Sequence, residues 1–218
     1  MMTKHDFDGM RRAMVASQLR TTGVNDARVL AAMGEVPRER FVPQSGRALA
    51  YADALVPLGD GRAMNPPVAL GRLLTEARPQ SFDRALLIGA GTGYGAAVLA
   101  RLVRSLVAVE ENHALAALAR DTLTDAGNIT VVAGPLDQGH AEAAPYDLIL
   151  IDGAVEVVPD SLVEQLADGG RLATGLIDGS VTRLAIGRRA GHGFGLVPFA
   201  DSAAAALPGF ARPREFTF

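Results

Sequence analysis

The chain contains 218 residues, of which 49% are apolar, with 21 basic residues, 24 acidic residues and no cysteine. This length and apolar content predict one domain, or one domain with a small appendage, and exclude wholesale disorder. The net charge of −3 gives no overall attraction to nucleic acid or to an anionic membrane, and the lack of cysteine excludes disulfides, thiol nucleophiles and thiolate metal sites.

The first residues carry no export signal. They include Asp6 and Asp8 and lack the apolar stretch of a signal peptide. No run in the chain approaches the roughly 18 apolar residues that a membrane-spanning helix needs. We therefore expect a cytoplasmic protein without a membrane or nucleic-acid partner, and the sequence leaves its oligomeric state open.

Helical periodicity comes first along the chain. Apolar residues between Met10 and Leu19 recur at helical spacing. After a break, Asn25 or Asp26 is placed to cap a second helix that ends before Pro37. These spacings predict two short helices at the beginning of the chain.

A long irregular stretch separates these helices from a third. Residues 41–68 are rich in proline and glycine, and a third helix is predicted over 68–77. A connection of this length is unusual inside a compact domain, so we expect a functional loop.

From residue 84 onward, strands and helices alternate. Short apolar runs without polar alternation are typical of strands buried on both faces, as in a parallel sheet covered by helices. Two further runs are placed to pair antiparallel across a glycine-containing turn. The predicted strands are 85–88, 106–109, 129–132, 146–151, 171–174, 181–187 and 194–199, and helices are predicted at 95–102, 114–124 and 160–167. The pattern predicts an α/β fold.

The segment Gly89-Ala90-Gly91-Thr92-Gly93, called the glycine turn below, lies between a predicted strand and a predicted helix. Glycines at such a place let the backbone turn tightly and approach a ligand closely. Read from Gly91, the sequence satisfies the dinucleotide pattern G-x-G-x-x-A. The apolar run stops at Ile88, however, which makes Gly89 the first glycine and favours the G-x-G-x-G frame associated with S-adenosylmethionine binding.

Glu110 is the second indication of a nucleoside ligand. It ends the next predicted strand about 20 residues beyond the turn, where an acid accepts hydrogen bonds from the ribose hydroxyls. The alternative is a surface glutamate beside Glu111. The turn and the acid, at this spacing on successive strands, together predict a nucleoside cofactor. The four histidines are scattered without metal-ligand spacing, so no metal site is predicted.

Ordered matches to one family run through the chain. They include Gln18-Leu19-Arg20, Val36-Pro37-Arg38-Glu39, Phe41-Val42-Pro43, Pro57-Leu58-Gly59, the glycine turn with Tyr94, Ala144-Pro145-Tyr146-Asp147 and Gly169-Gly170. From Met14 to about Leu184, the sequence resembles the protein-L-isoaspartate (D-aspartate) O-methyltransferases, as a divergent member. So many matches in order are far more specific than a glycine pattern.

The resemblance implies both a fold and a reaction. The fold is a Rossmann-like seven-stranded methyltransferase sheet at 81–218, including a C-terminal tail, with a helical cap at 1–80 on the substrate side. The reaction is transfer of a methyl group from S-adenosylmethionine to the carboxylate of isoaspartyl residues in damaged proteins, which repairs them. Such a carboxylate is already an anionic nucleophile at neutral pH, so no general base is required. The protein must orient the reactants and exclude water.

The sequence departs from the family at four places around the expected site. Asn65 stands where the family has the serine usually named as the active-site residue, and Leu87 replaces the acid before the glycine turn. Leu136 and Asp137 follow a proline where the family has Gly-Asp-Gly near the adenine. We take Asn65 as the candidate catalytic residue because its amide can donate to a carboxylate.

The fourth departure, Asp152, follows the fourth predicted strand of the sheet at the crevice where α/β proteins bind ligands. It is predicted to contact the cofactor or to orient a substrate amine, and the alternative is a simple turn before Gly153. The departures also leave two other functions open: methyl transfer to a different acceptor, or cofactor binding without turnover.

Overall fold

The structure is a computed structural model that describes residues 6–212. The predicted cap and tail each extend a few residues beyond this range. No helix among the described residues has the length and apolar character needed to cross a bilayer. The α-helices are α1 (Phe7–Ala13), α2 (Ala27–Glu35), α3 (Pro67–Ala77), α4 (Tyr94–Leu99), α5 (His113–Thr122) and α6 (Asp160–Val163).

Local capping explains where several helices begin and end. Asp26 caps α2 by accepting a hydrogen bond from the Arg28 amide at 2.8 Å, which confirms one of the two predicted caps. The first predicted helix, between Met10 and Leu19, is observed as α1 followed directly by a π-helical stretch at Met14–Leu19. The helix predicted over 160–167 is wrong at its end, because a strand begins at Leu166.

Nine strands form two sheets within the described residues. They are β1 (Val56–Gly59), β2 (Arg62–Met64), β3 (Arg84–Ile88), β4 (Ser105–Glu110), β5 (Ile129–Ala133), β6 (Tyr146–Val155), β7 (Leu166–Asp178), β8 (Val181–Ala190) and β9 (Gly193–Asp201). The large sheet has the order β5-β4-β3-β6-β7-β8-β9. Strands β5, β4, β3, β6 and β7 are parallel, and β8 is antiparallel to both of its neighbours, β7 and β9. The seven predicted strands and the antiparallel pair are confirmed.

The small sheet is a hairpin that the sequence analysis did not predict. Strands β1 and β2 pair antiparallel inside the stretch expected to be an irregular loop. Their two-residue connection, Asp60-Gly61, has φ values of 50° and 72°, as a type I′ turn requires. We call residues 56–64 the hairpin.

Two apolar cores cover the two faces of the large sheet. On one face, Leu87 and Leu148 pack in a cluster with the N-terminal helices, which contribute Met14 and Met33. On the other face, Leu86, Ile88 and Ile149 pack with α6 and with residues that follow β9. Alternate residues of β3 therefore enter different cores, which explains its continuous apolar sequence.

A buried ion pair ties the amino-terminal edge of the sheet to α3. The Arg171 guanidinium contacts Asp83 and donates to the carbonyl oxygen of Ala77 at 3.0 Å. It also donates to the carbonyl oxygen of Asp147 at 3.1 Å. This pair lies at the edge opposite the glycine turn, because β3 begins just after Asp83 and ends at Ile88.

The segment after β9, residues 203–210, returns to the carboxyl end of β6 and is called the C-terminal segment. Its backbone exchanges hydrogen bonds with Ala154: the Ala154 amide donates to Ala205 at 2.7 Å, and the Leu207 amide donates to Ala154 at 2.9 Å. The Leu207 side chain is buried against Gly89 and Gly153. This contact closes the crevice above the sheet from one side.

We expect Leu207→Ala to lower the free energy of unfolding by roughly 2–3 kcal/mol, because a buried side chain is lost and the segment can only partly fill its place. Urea unfolding at neutral pH measures the change. The matched control is Val197→Ala on β9, where the side chain is 65% exposed, and a change within about 0.5 kcal/mol is expected. Equal effects of the two substitutions would contradict the packing role of Leu207.

Candidate functional site

The glycine turn begins where the sequence analysis expected. Strand β3 ends at Ile88, and the next glycines, Gly89, Gly91 and Gly93, have φ values of 80°, 54° and 102°. These left-handed conformations favour glycine. The amides of Gly89 and Ala90 both donate to Val109 of the neighbouring strand, at 2.9 and 3.0 Å, which fixes the turn at the carboxyl end of the sheet.

Glu110 lies directly beside this turn and is fully buried. Its carboxylate accepts hydrogen bonds from the amides of Gly91 at 2.7 Å and Asn112 at 3.0 Å. The interpretation of Glu110 as a surface residue is therefore wrong. A buried carboxylate is retained only with donors and a compensating charge around it.

The compensating charge is Arg62, which the sequence analysis missed. Arg62 lies on β2, and both terminal nitrogens of its guanidinium donate to Glu110, one to each oxygen, with 3.0 Å between Nη2 and Oε2. The arginine side chain is 7% exposed and the glutamate side chain 0%. The available signal was an acid at the end of a fully apolar strand, which requires a cation from elsewhere in the chain.

Asn65 and Asp152 form a second polar pair in the same crevice. The Asn65 amide donates to Asp152 Oδ1 at 2.7 Å, and Asn65 Oδ1 accepts from the Ala205 amide at 2.7 Å. Desolvation raises the pKa of Asp152, against the opposing effects of the Asn65 hydrogen bond and of the positive charges on Arg38 and Arg62. The interpretation of Asp152 as only a turn residue before Gly153 is wrong.

Arg38 supports this pair from beneath. It is fully buried, and it donates to the backbone oxygens of Ala50 at 2.6 Å and Asn65 at 2.5 Å. Its guanidinium carbon lies 4.5 Å from the centre of the Tyr94 ring, in cation–π geometry. Burial lowers the pKa of Arg38 and raises that of Tyr94. Arg38 therefore fixes the backbone position of Asn65.

The crevice encloses a cavity of about 10 Å³, far smaller than a nucleoside. The predicted site residues that line it are Asn65, Gly89, Ala90, Gly91, Thr92 and Asp152, and they are joined by Leu58, Ala63, Met64, Tyr94 and Gly95. Thr92 also donates its hydroxyl to the carbonyl oxygen of Phe41 at 2.5 Å. The fold thus brings most of the predicted site residues together around a nearly filled space.

The remaining predicted residues lie to the sides. Gly93 caps the beginning of α4, and a Cβ atom there would meet the Leu123 side chain at 2.9 Å. The Leu136 side chain is buried in the core that contains Ile88, and the carbonyl oxygen of Asp137 accepts from the Ser161 hydroxyl at 2.6 Å. Neither Leu136 nor Asp137 lines the cavity.

The fold defines the class of protein. A seven-stranded sheet with one glycine turn after β3 and an acid at the end of β4 is the Rossmann-like fold of the S-adenosylmethionine-dependent methyltransferases. A solved protein-L-isoaspartate O-methyltransferase superposes with a TM-score of 0.79 and 24% identity, covering 91% of this chain and 66% of that one. A second solved structure, described as such an enzyme from Plasmodium falciparum in complex with S-adenosyl-L-homocysteine, gives 0.74 and 17%, covering 94% and 99%.

Sequence comparison identifies the family. A model of the protein-L-isoaspartate(D-aspartate) O-methyltransferase family matches residues 10–186. Proteins named protein-L-isoaspartate O-methyltransferase are 42% identical in Methanoregula boonei, over 79% of this chain and 80% of the relative, and 43% identical in Roseiflexus castenholzii, over 77% of each. The chain belongs to this family.

We expect Asp152→Asn to gain stability relative to the wild type as the pH rises. Because the folded pKa of Asp152 is raised, the stability contributed by its protonated form is complete below the ordinary value of 3.8 and is lost as the pH passes through the folded pKa. Asparagine keeps an acceptor for the Asn65 amide and does not titrate. Urea unfolding between about pH 4 and pH 8 measures the free energy of unfolding of both proteins. The value for the variant minus that for the wild type should rise with pH and then become constant.

Asp125→Asn, at an exposed position, is the control for losing one negative charge. A difference for Asp152→Asn that stays flat, or that follows the control, would contradict a raised pKa at this position.

Proposed function

We propose that this chain transfers a methyl group from S-adenosylmethionine to the carboxylate of isoaspartyl residues in damaged proteins. The family match over residues 10–186 carries the proposal, because it includes the N-terminal helices, the hairpin and the glycine turn. The relatives at 42–43% identity bear the name of this activity. The resemblance on which the sequence analysis relied thus leads to the same reaction.

The groups expected of a cofactor site are present. The glycine turn offers backbone without side chains, and Glu110 offers a carboxylate to the ribose hydroxyls. Bound S-adenosylmethionine would supply an electrophilic methyl group on its sulfonium. The chemistry of these residues fits the cofactor, whereas the space of about 10 Å³ does not until the hairpin moves away.

Asn65 is the proposed positioning group for the acceptor. One N–H of its amide is engaged by Asp152, and the second is available to a carboxylate. Arg38 holds the Asn65 backbone, and the Ala205 amide fixes its side-chain oxygen. An isoaspartyl carboxylate is anionic at neutral pH, so the task of these residues is orientation rather than proton removal.

A second candidate is a family member that does not turn over. The observation that favours it is the engagement of the polar groups of Glu110, Asn65 and Asp152 with other residues of the same chain. In this candidate the network stabilises the fold alone.

Other expectations about the whole protein remain predictions. These are a cap at 1–80 and a methyltransferase domain at 81–218, a cytoplasmic location and no nucleic-acid partner. One contact supports the cap: the hydroxyl of Thr92 in the glycine turn donates to Phe41 of the N-terminal region.

We expect the purified chain to move labelled methyl from S-adenosylmethionine to an isoaspartyl peptide, and mild base to release the label because the product is an ester. The same peptide with a normal aspartyl linkage is the control. No transfer, with or without cofactor binding, would contradict the first function; binding without transfer would support the second.

We expect Asn65→Ser to raise the rate of this transfer about tenfold, which corresponds to about 1.4 kcal/mol in the barrier. Serine is too short to contact both Asp152 and Ala205. It also restores the residue that the resemblance implies at this position. The measurement is initial rate at saturating cofactor. A lower rate, with the fold intact by circular dichroism, would show that asparagine is the better positioning group in this chain.

A further inference from the structure

The acceptor capacity of Glu110 is fully used within the chain. A carboxylate offers about four lone-pair positions on its two oxygens. Gly91 and Asn112 each occupy one through their amides, and the two guanidinium nitrogens of Arg62 occupy the others. A ribose diol would have to donate both hydroxyls to these oxygens, and no acceptor position remains for it.

The space beside the carboxylate is filled by the same hairpin. A Cβ atom built on Gly91 would lie 3.1 Å from a methyl group of Leu58, and one built on Gly89 would lie 3.6 Å from the Arg62 guanidinium. The hairpin therefore lies directly on the glycine turn. The cavity that is left, about 10 Å³, is the size of one water molecule.

The tip of the hairpin is bound to the crevice through polar contacts, whereas its two ends are buried in the apolar core through Val56 and Met64. At its tip, Asp60 accepts from the Asn112 side chain at 3.1 Å, and Asn112 also donates its backbone amide to Glu110. An isolated two-stranded hairpin is only marginally stable, so the position of its tip depends on these contacts and on Arg62. Removing them would free the tip of the hairpin, while Val56 and Met64 keep its ends in the core.

We infer that Arg62 is a built-in competitor of the cofactor: its guanidinium occupies the ribose-binding carboxylate of Glu110, and the affinity for S-adenosylmethionine is set by release of the hairpin tip. The inference rests on the proposed function, because a competitor requires a ligand. The apparent affinity is the affinity of the open state multiplied by the fraction of molecules in that state. A weaker Arg62 contact raises this fraction and therefore strengthens binding.

The test is calorimetric titration of the full chain with S-adenosylhomocysteine. We expect Arg62→Gln to bind at least ten times more tightly than the wild type, because two acceptor positions on Glu110 become available to the ribose. Equal or weaker binding by a folded Arg62→Gln protein would overturn the inference.

The matched control is Arg171→Gln. It also removes an arginine, with a side chain 13% exposed, from a buried carboxylate, that of Asp83, at the opposite end of the parallel strands. We expect its affinity to stay within twofold of the wild type. Tightening by the control as much as by Arg62→Gln would assign the effect to general loosening and would overturn the inference.

A second variant covers the possibility that unpairing Glu110 prevents folding. Leu58→Ala keeps the ion pair but removes the side chain over Gly91, and it is also expected to tighten binding several-fold. The ligand-induced rise in Tm should follow the same order as affinity. If Arg62→Gln does not fold, a Leu58→Ala affinity no better than that of the wild type overturns the inference.

The outcomes separate this inference from the proposed function. Wild-type protein that transfers methyl, together with an Arg62→Gln affinity that is unchanged, overturns the competitor and leaves the function standing. Tighter binding by Arg62→Gln with no methyl transfer by any variant supports the competitor and contradicts the function. Failure of every folded variant to bind contradicts both.

Discussion

The crevice of this protein is organised by one constraint: a carboxylate buried at the end of a parallel strand must have its charge compensated and its acceptor positions filled. Glu110 meets this requirement with the glycine turn, the beginning of α5 and the hairpin. Since each donor comes from a different element, the carboxylate joins three parts of the chain. Breaking one buried partner of such a pair costs about 3–5 kcal/mol, which explains why the hairpin stays docked.

The same requirement for buried polar groups to be paired applies to the residues around Asn65. Asn65 bridges Asp152 and Ala205, and the fully buried Arg38 holds the Asn65 backbone while stacking on Tyr94. These groups are shielded from solvent, so their hydrogen bonds are stronger than at the surface, and an unpaired member would lower the stability of the fold. The result is a polar network that is consistent with the family fold but encloses almost no free space.

A crevice occupied by the hairpin is compatible with family membership if the chain has two states. The hairpin covers the glycine turn in the closed state and leaves it in the open state. The family model spans both the hairpin and the sheet, so the elements of a methyltransferase are all present. In this chain Arg62 contacts Glu110, the acid proposed to bind the cofactor. The proposed cofactor would replace two hydrogen bonds from a cationic guanidinium with two from uncharged hydroxyls, so its affinity depends on how readily the hairpin tip leaves.

The sequence by itself determined the strands of the seven-stranded sheet and the first residue of the glycine turn, and it limited the cap of α2 to Asn25 or Asp26, because short apolar runs, glycine spacing and capping residues act over a few neighbouring positions. It also held the Asp60-Gly61 turn, which was not recognised as a hairpin signal. Only the tertiary structure decided that Arg62 pairs with Glu110, 48 residues away, and that Asn65 contacts Asp152 and Ala205. Such contacts depend on how separate elements pack together, so no local sequence pattern predicts which residue pairs with a buried carboxylate.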